Sequence, residues 1–257
     1  MIHATAIVDK KAELDSSVEV GPWCVVGPDV KIGKNTKLLS HVVVSGHTTI
    51  GEGNTVHPFA VLGGTPQDLK YKGEPTLLII GDHNTIRESV TFNTGTVTGG
   101  NKTVVGSHNL IMATTHLGHD VIIGDHVIVA NGCSLAGHVI VEDYAIVGGM
   151  NGIAQFVRIG THCYTGGFSA IEKDIPPYSI AVGVRPCSVK GANIVGLRRK
   201  GFASDVIRMI NESIKLWTRP DVPKEQALLE MESQYGDCVE VQKLVEFIRN
   251  SEYGVSR

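Results

Sequence analysis

The sequence predicts an all-β solenoid followed by α-helices: a parallel β-helix of six-residue repeats closed by a helical domain. Two observations carry this. Stepping by six from Ile2 lands on Val8, Leu14, Val20, Val26, Ile32, Leu38, Val44, Ile50, Val56 and Leu62, every one a branched aliphatic residue. Beyond about Asn193 that period is gone and apolar residues recur at helical spacing.

A helix repeats its apolar residues at three and four and a simple strand at two, so a period of six fits neither alone. It fits a short strand and a corner repeated, with the aliphatic side chain aimed into a narrow core. Three such units make a triangular coil of 18 residues, and successive coils pair at strand spacing, roughly 4.8 Å. Four residues after each stop comes a mostly small residue, as at Ala6, Ala12, Val18 and Cys24. The register returns at Ile80, Ile86 and Phe92. It returns again from Val105 through Ile111, Leu117, Ile123, Val129, Leu135, Val141, Val147 and Ile153 to Ile159, with Ile171 two steps on.

Residues 63–79 place Asp68 and Glu74 at expected aliphatic stops, and residues 93–104 shift the register by one. Both are expected to be loops thrown out of the coil, and long excursions from a regular scaffold are often functional. The repeat fades after Pro176-Pro177. Ser204 and Asp205 have the chemistry of a helix N-cap before Ile207, Ile210, Ile214 and Trp217. Val241, Leu244, Val245 and Ile248 mark a last amphipathic helix. The domains are therefore drawn as a β-helix over 1–190 and a helical domain over 191–257, which would cover the open coil end.

Composition narrows the function classes. Net charge is −3, so no nucleic-acid partner is expected. The opening MIHATAIVDK lacks a basic region followed by an apolar run, so no secretory signal is expected. No window approaches the roughly 20 apolar residues of a membrane span. Cys24, Cys133, Cys163, Cys187 and Cys238 are odd in number and form no CxxC. They read as buried small hydrophobes in a reduced, cytoplasmic protein.

Chemistry concentrates in His116-Leu117-Gly118-His119-Asp120 and, one coil later, Gly137-His138. Coil arithmetic sets Gly137 above His119 and His138 above Asp120. A histidine with a carboxylate partner can act as a general base near neutral pH, and a nearby backbone N–H can hold an oxyanion. The alternatives are a hydrogen-bonded surface strip and a zinc site such as the three-histidine site of γ-class carbonic anhydrases. HxxH here lies along a strand and corner, so the helical zinc motif does not apply, and no metal is expected.

The stretches GGTPQDLKYKGEPT, IRESVTFNTGT, HLGHD, LAGHV, GGMNGIAQF, DIPPY and NIVGLRRKGF together resemble the UDP-N-acetylglucosamine O-acyltransferases, hexapeptide-repeat enzymes that begin lipid A synthesis. The resemblance spans essentially the whole chain. It implies a left-handed coil, which the spacing alone does not, since parallel crossovers are usually right-handed. It further implies a homotrimer, an acyl-carrier-protein thioester as donor and a UDP-sugar as acceptor. No cofactor is implied beyond the carrier protein's phosphopantetheine. By the same resemblance His119 is the general base, Asp120 orients it and the Gly137 N–H holds the oxyanion. Asp68, His116 and His138 contact the sugar, while Gln67 and Lys70 border donor and acceptor. Gln155, Asn193, Arg199 and Lys200 serve the nucleotide end, where cations face the diphosphate.

Some positions depart from the family pattern. Ala154 stands where a histidine often precedes Gln155, Val195 where an acidic residue is usual, and Asn93 where a histidine often follows Phe92. Residues 184–190 also differ. Such changes leave the base untouched and alter the acceptor pocket, so the 3-amino analogue of the sugar stands as an alternative acceptor, giving an amide. A non-enzymatic β-helical scaffold is the remaining alternative, and it would not need HxxHD. For the acyl chain, Lys173 lies three coils above His119, roughly 14 Å. At about 1.25 Å per carbon that is room for roughly 11–12 carbons. Lys173 is therefore the expected stop, with Gly167 or Arg185 as the alternatives.

Overall fold

The computed structural model describes residues 1–257. Its chain winds as a left-handed parallel β-helix with three faces, followed by four helices. The first face begins at Ile7–Val8, the second at Glu13–Leu14 and the third at Glu19–Val20. Each face then stacks its strands in parallel, with coil offsets of 18 residues such as His116↔Ser134 and Leu117↔Leu135. Most strands are two residues long. The second residue is the aliphatic stop and points inward, as at Ile111, Leu117, Ile123, Val129 and Leu135, all essentially fully buried. The small residue four positions on is also buried from Val18 onward, so one hydrophobic cluster of 39 residues fills the triangular shaft, with Ala6 and Ala12 partly buried at its open end. All five cysteines are unpaired and buried.

The corners carry the chain's strain. A residue in many of the corners sits in the left-handed region, and these are often histidines or aromatics: His83, His108, His126, Tyr144 and His162 on the corner between the second and third faces. Their rings stack coil on coil, with centroids 4.7–5.2 Å apart. Cross-coil stacking offsets part of the cost of a positive φ in residues that have a Cβ.

Both interruptions of the repeat are loops, shorter at the strands than their sequence ranges. Val61–Gly64 and Leu77–Ile80 are strands, as are Thr91–Asn93 and Lys102–Val105. The excursions proper are therefore 65–76 and 94–101. After Ser179–Val182 the chain turns back antiparallel at Ser188–Ala192 and ends the sheet. Then come α1 (Ile194–Arg199), α2 (Ser204–Thr218), α3 (Lys224–Tyr235) and α4 (Val239–Arg249). Their own cluster centres on Ile210, Ile214, Trp217, Met231 and Leu244, and Tyr178 joins it from the coil. Two details differ from the sequence reading. Ala203 is the N-cap of α2 and makes no side-chain cap, while Ser204 and Asp205 lie inside the first turn. Helix α3 was not anticipated, because its polar residues encircle it and only Ala227, Leu228 and Met231 are buried.

Candidate active site

His119 and Asp120 occupy the corner between the first and second faces. His119 follows the buried anchor Leu117, and Asp120 takes the left-handed position, φ 62°. Those backbone angles fold the two side chains together: His119 Nδ1 lies 2.8 Å from Asp120 Oδ2. Both residues are buried. A carboxylate accepts only from Nδ1–H, so Nε2 is the unprotonated nitrogen of the neutral ring. Gly137 lies over that ring, and a Cβ there would come within 2.5 Å of His119 Cε1. The glycine is required by this close approach. Its carbonyl accepts the Phe156 N–H, while its own N–H donates to no group of the chain.

A cleft of about 520 Å³ runs up the first face from this point, lined by Gln67, Asn93, His116, His119, Gly137 and Gln155, and further up by Ile171, Glu172 and Arg185. His116 Nδ1 is held 2.8 Å from Thr91 Oγ1, and burial lowers its pKa. Asn93 donates from Nδ2 to the Thr65 carbonyl, which fixes the amide orientation. Its Oδ1 is buried without a partner. A native buried polar atom with no partner at a cleft calls for a ligand donor.

His138 turns to the opposite flank of the corner. Its ring stacks on Phe156, which in turn stacks on Tyr253. Its Nε2 is 3.9 Å from Asp120 Oδ2. Desolvation by burial lowers its pKa, against a raising effect from Asp120 and a weaker one from Asp68. Asp68 stands on the 65–76 loop, where its Oδ1 accepts the Lys70 N–H. Lys70 itself is exposed.

His119, Asp120 and His138 offer ligating atoms within 4.8 Å of one another. The donor set is already spent on hydrogen bonds: Asp120 Oδ2 also accepts from Thr96 Oγ1 at 2.6 Å. Metal bonds near 2.0–2.2 Å would have to displace both contacts. These residues fit a hydrogen-bonded dyad better than a metal site.

Three of the expected positions lie elsewhere in the single chain. Asn193 caps α1 through Gly196 N–H and donates to the His162 carbonyl. Lys200 places its ammonium 4.7 Å from the Tyr144 ring. With Arg199 on the last turn of α1, they belong to the corner between the second and third faces. The expected acyl stop also lies outside the His119 cleft. Lys173 is exposed and lines a separate cleft with Pro186, Cys187, Lys224 and Arg257. Ile153↔Ile171 and Ile159↔Ile175 both pair, so the corner bearing Lys173 is two residues shorter than the one below. That diverts Lys173 toward the C-terminal segment, where Ser256 donates to the Asp174 carbonyl. Gly167 packs beside Gly149 on the corner between the third and first faces. Of the alternatives only Arg185 lines the His119 cleft, and its Nε pairs with Glu172 Oε1 at 2.8 Å.

Fold and site together define a hexapeptide-repeat β-helix carrying a histidine–carboxylate dyad in an open cleft, the arrangement of an acyltransferase. Residues 29–64 and 102–137 match the bacterial transferase hexapeptide model, and residues 174–256 match domain 2 of the UDP-N-acetylglucosamine O-acyltransferases. The chain is 46% identical to the acyl-[acyl-carrier-protein]–UDP-N-acetylglucosamine O-acyltransferase of Saccharophagus degradans and 44% identical to that of Thermodesulfovibrio yellowstonii, covering all of this chain and 99% of each relative. Among solved structures, the Acinetobacter baumannii protein superposes with TM-score 0.96 at 46% identity, covering all of this chain and 99% of that one. The Bacteroides fragilis UDP-N-acetylglucosamine acyltransferase does so with 0.97 at 39%, covering both chains fully. The chain belongs to the acyl-[acyl-carrier-protein]–UDP-N-acetylglucosamine O-acyltransferase family.

Proposed function

We propose that this chain transfers a 3-hydroxyacyl group from the phosphopantetheine thioester of acyl carrier protein to the 3-position of a UDP-N-acetylglucosamine-type sugar, the first step of lipid A synthesis, in the cytoplasm. No helix is long and apolar enough to cross a membrane. The observation that carries the reading is the His119 Nδ1–Asp120 Oδ2 contact of 2.8 Å, with the unengaged Gly137 N–H directly above the ring.

With Nδ1–H donated to Asp120, His119 Nε2 takes the proton of the sugar 3-hydroxyl as that oxygen bonds to the thioester carbonyl carbon. The carbonyl π pair moves onto oxygen, and the Gly137 N–H holds the resulting oxyanion. Collapse re-forms the carbonyl, breaks the C–S bond and expels the thiolate, which takes the proton from the imidazolium. The products are the ester and the free carrier thiol. Asp68, His116 and His138 are assigned to the sugar and Gln67 and Lys70 to the border of donor and acceptor. Gln155, Asn193, Arg199 and Lys200 are assigned to the nucleotide.

That last assignment requires more than one copy, since Arg199 and Lys200 sit a face away from His119. The corner between the third and first faces exposes Trp23, Phe59, Met150 and Phe168 at 56–73%, and the third face presents Leu110, Ile128 and Ile146 outward. An apolar strip of this kind marks an association surface. A homotrimer with this corner at its axis packs the first face of each copy on the third face of the next. It brings the His119 corner against its neighbour's Lys200 corner.

Along the cleft, the Arg185–Glu172 pair stands three coils above the base, roughly 14 Å at strand spacing. It is the stop for a chain of about 12 carbons. Asn93 Oδ1 accepts from a hydroxyl or from an amine, so the 3-amino sugar remains the second reading. Mass spectrometry of products formed from both acceptors, with carrier-protein donors of 10 to 16 carbons, decides it. A 3-O-acylated sugar supports the main reading, an amide alone supports the second, and no transfer from any donor overturns both.

A further inference from the structure

Asp120 is a buried carboxylate beside an imidazole, and such a group is costly unless its oxygens are hydrogen-bonded. The bonds come from the 94–101 loop. Thr96 donates its backbone N–H to Asp120 Oδ1 at 2.8 Å and its hydroxyl to Oδ2 at 2.6 Å. From the strand leaving the loop, Thr103 Oγ1 accepts the Asp120 N–H at 2.8 Å. Both threonines are buried. Thr96 is itself braced: its carbonyl accepts from Gly99 and Asn101, closing the short 3-10 turn Val97–Gly99. Gly99 then lies against the carboxylate so closely that a Cβ there would fall 2.1 Å from Asp120 Cγ.

We infer that Thr96 is a positioning residue of the catalytic dyad, and that the 94–101 loop is a clamp that holds the Asp120 carboxylate aimed at His119. The inference rests on the acyltransfer reading of His119. Thr96 touches neither cleft nor reacting atoms in this arrangement; it acts through Asp120. Oδ2 receives Thr96 Oγ1 and His119 Nδ1 together, so the hydroxyl fixes the direction of the lone pair left for the imidazole. Without it the carboxylate retains the Oδ1 bond and can rotate about Cβ–Cγ, and the imidazole loses its single orientation. Turnover depends on that orientation because the attacking hydroxyl must meet Nε2 within hydrogen-bond reach. Ground-state binding of either substrate does not. The sequence showed only that residues 93–104 break the repeat; the structure gives the break a use.

The test is steady-state kinetics of the full-length protein with carrier-protein donor and UDP-sugar, on Thr96→Val, Thr96→Ser, Asp120→Asn and the Thr96→Val/Asp120→Asn double variant. Thermal melting is measured alongside. Valine keeps the shape and removes only the hydroxyl. Losing a hydrogen bond to a charged group corresponds to roughly 10-fold or more in rate, so kcat should fall by about 10-fold while both KM values stay within about 2-fold. Serine restores most of kcat. In the Asp120→Asn background Thr96→Val should cost less than about 3-fold, because the carboxylate it serves is gone. A Thr96→Val kcat within 2-fold of the parent overturns the inference. So does an equal loss in both backgrounds, or a loss that follows the melting temperature and is not rescued by serine. A His119→Ala protein with normal turnover would instead overturn the acyltransfer reading, so the two failures are distinguishable. Gly99→Ala supplies an independent arm: its Cβ must push the carboxylate away, and kcat should fall with the Thr96 hydroxyl still present.

Discussion

Two corners of the same coil carry the same residue types in opposite order, and only one of them makes a dyad. On the corner between the first and second faces the chain reads His119-Asp120; on the next corner it reads Asp125-His126. At both, the second residue takes the left-handed position, φ 62° for Asp120 and 57° for His126. In the second case the imidazole points outward and stacks between His108 and Tyr144. The Asp125 carboxylate, one position earlier, accepts the Ser107 N–H of the coil below. In the first case the carboxylate occupies the strained position, the loop covers it, and the histidine before it faces the cleft. Residue order within a corner, together with a loop on one side, separates a buried His–Asp pair facing a cleft from an outward stacked ladder.

The largest expected effect breaks this contrast at its centre. His119→Ala should reduce turnover about 10²–10⁴-fold, the usual contribution of a general base, with the melting profile retained. His126→Ala should leave turnover within about 2-fold. Comparable losses in the two variants would remove the distinction between the corners. The carboxylates come next. Asp120→Asn should lower kcat by about 10–100-fold, as loss of an orienting partner commonly does. Asp125→Asn should alter melting and leave kcat unchanged.

The third effect lies along the cleft. Arg185→Ala should shift donor preference toward chains longer than about 12 carbons, and Lys173→Ala should leave the length profile as it is. A shift in the Lys173 variant alone would return the stop to that residue. The smallest effect belongs to the ladder. Burial, and then the Lys200 ammonium, hold the His162 imidazole down at about 4, against 6.5 for a free histidine. As pH falls through 6.5 the unfolded chain takes up a proton that the folded chain refuses until about 4. Stability is therefore complete above 6.5 and drains away between 6.5 and about 4. His162→Phe keeps the stacked ring and has nothing to titrate, so its melting temperature should fall less between pH 7 and pH 5 than the parent's.

The repeat could be read directly because inward side chains at every sixth residue are the condition for filling a narrow shaft. Each stop can be checked one by one, and Leu117, Ile123 and Leu135 are all interior. The juxtaposition of His119 with Gly137 was equally legible, since regular 18-residue coils turn sequence distance into height. Arithmetic of that kind locates backbone and says nothing of where a side chain turns. Coil arithmetic sets Lys173 in line with His119, and its side chain turns away from the cleft because the corner carrying it is two residues short. Helix α3 escaped notice because a helix packed on one narrow strip need not be amphipathic around its circumference. Thr96, and the unpaired Oδ1 of Asn93, could not be read for a different reason. The 94–101 loop follows no period, so the Thr96 hydrogen bonds to Asp120 and the partnerless Asn93 Oδ1 beside the cleft exist only after the coil has brought distant strands to one corner. Sequence by itself determined the shaft, the height of residues along its regular coils and the composition of the His119 corner. Tertiary structure alone decided which carboxylate is covered by a loop, which cation lines the cleft and which histidines stack, because those depend on side-chain direction and on aperiodic loops.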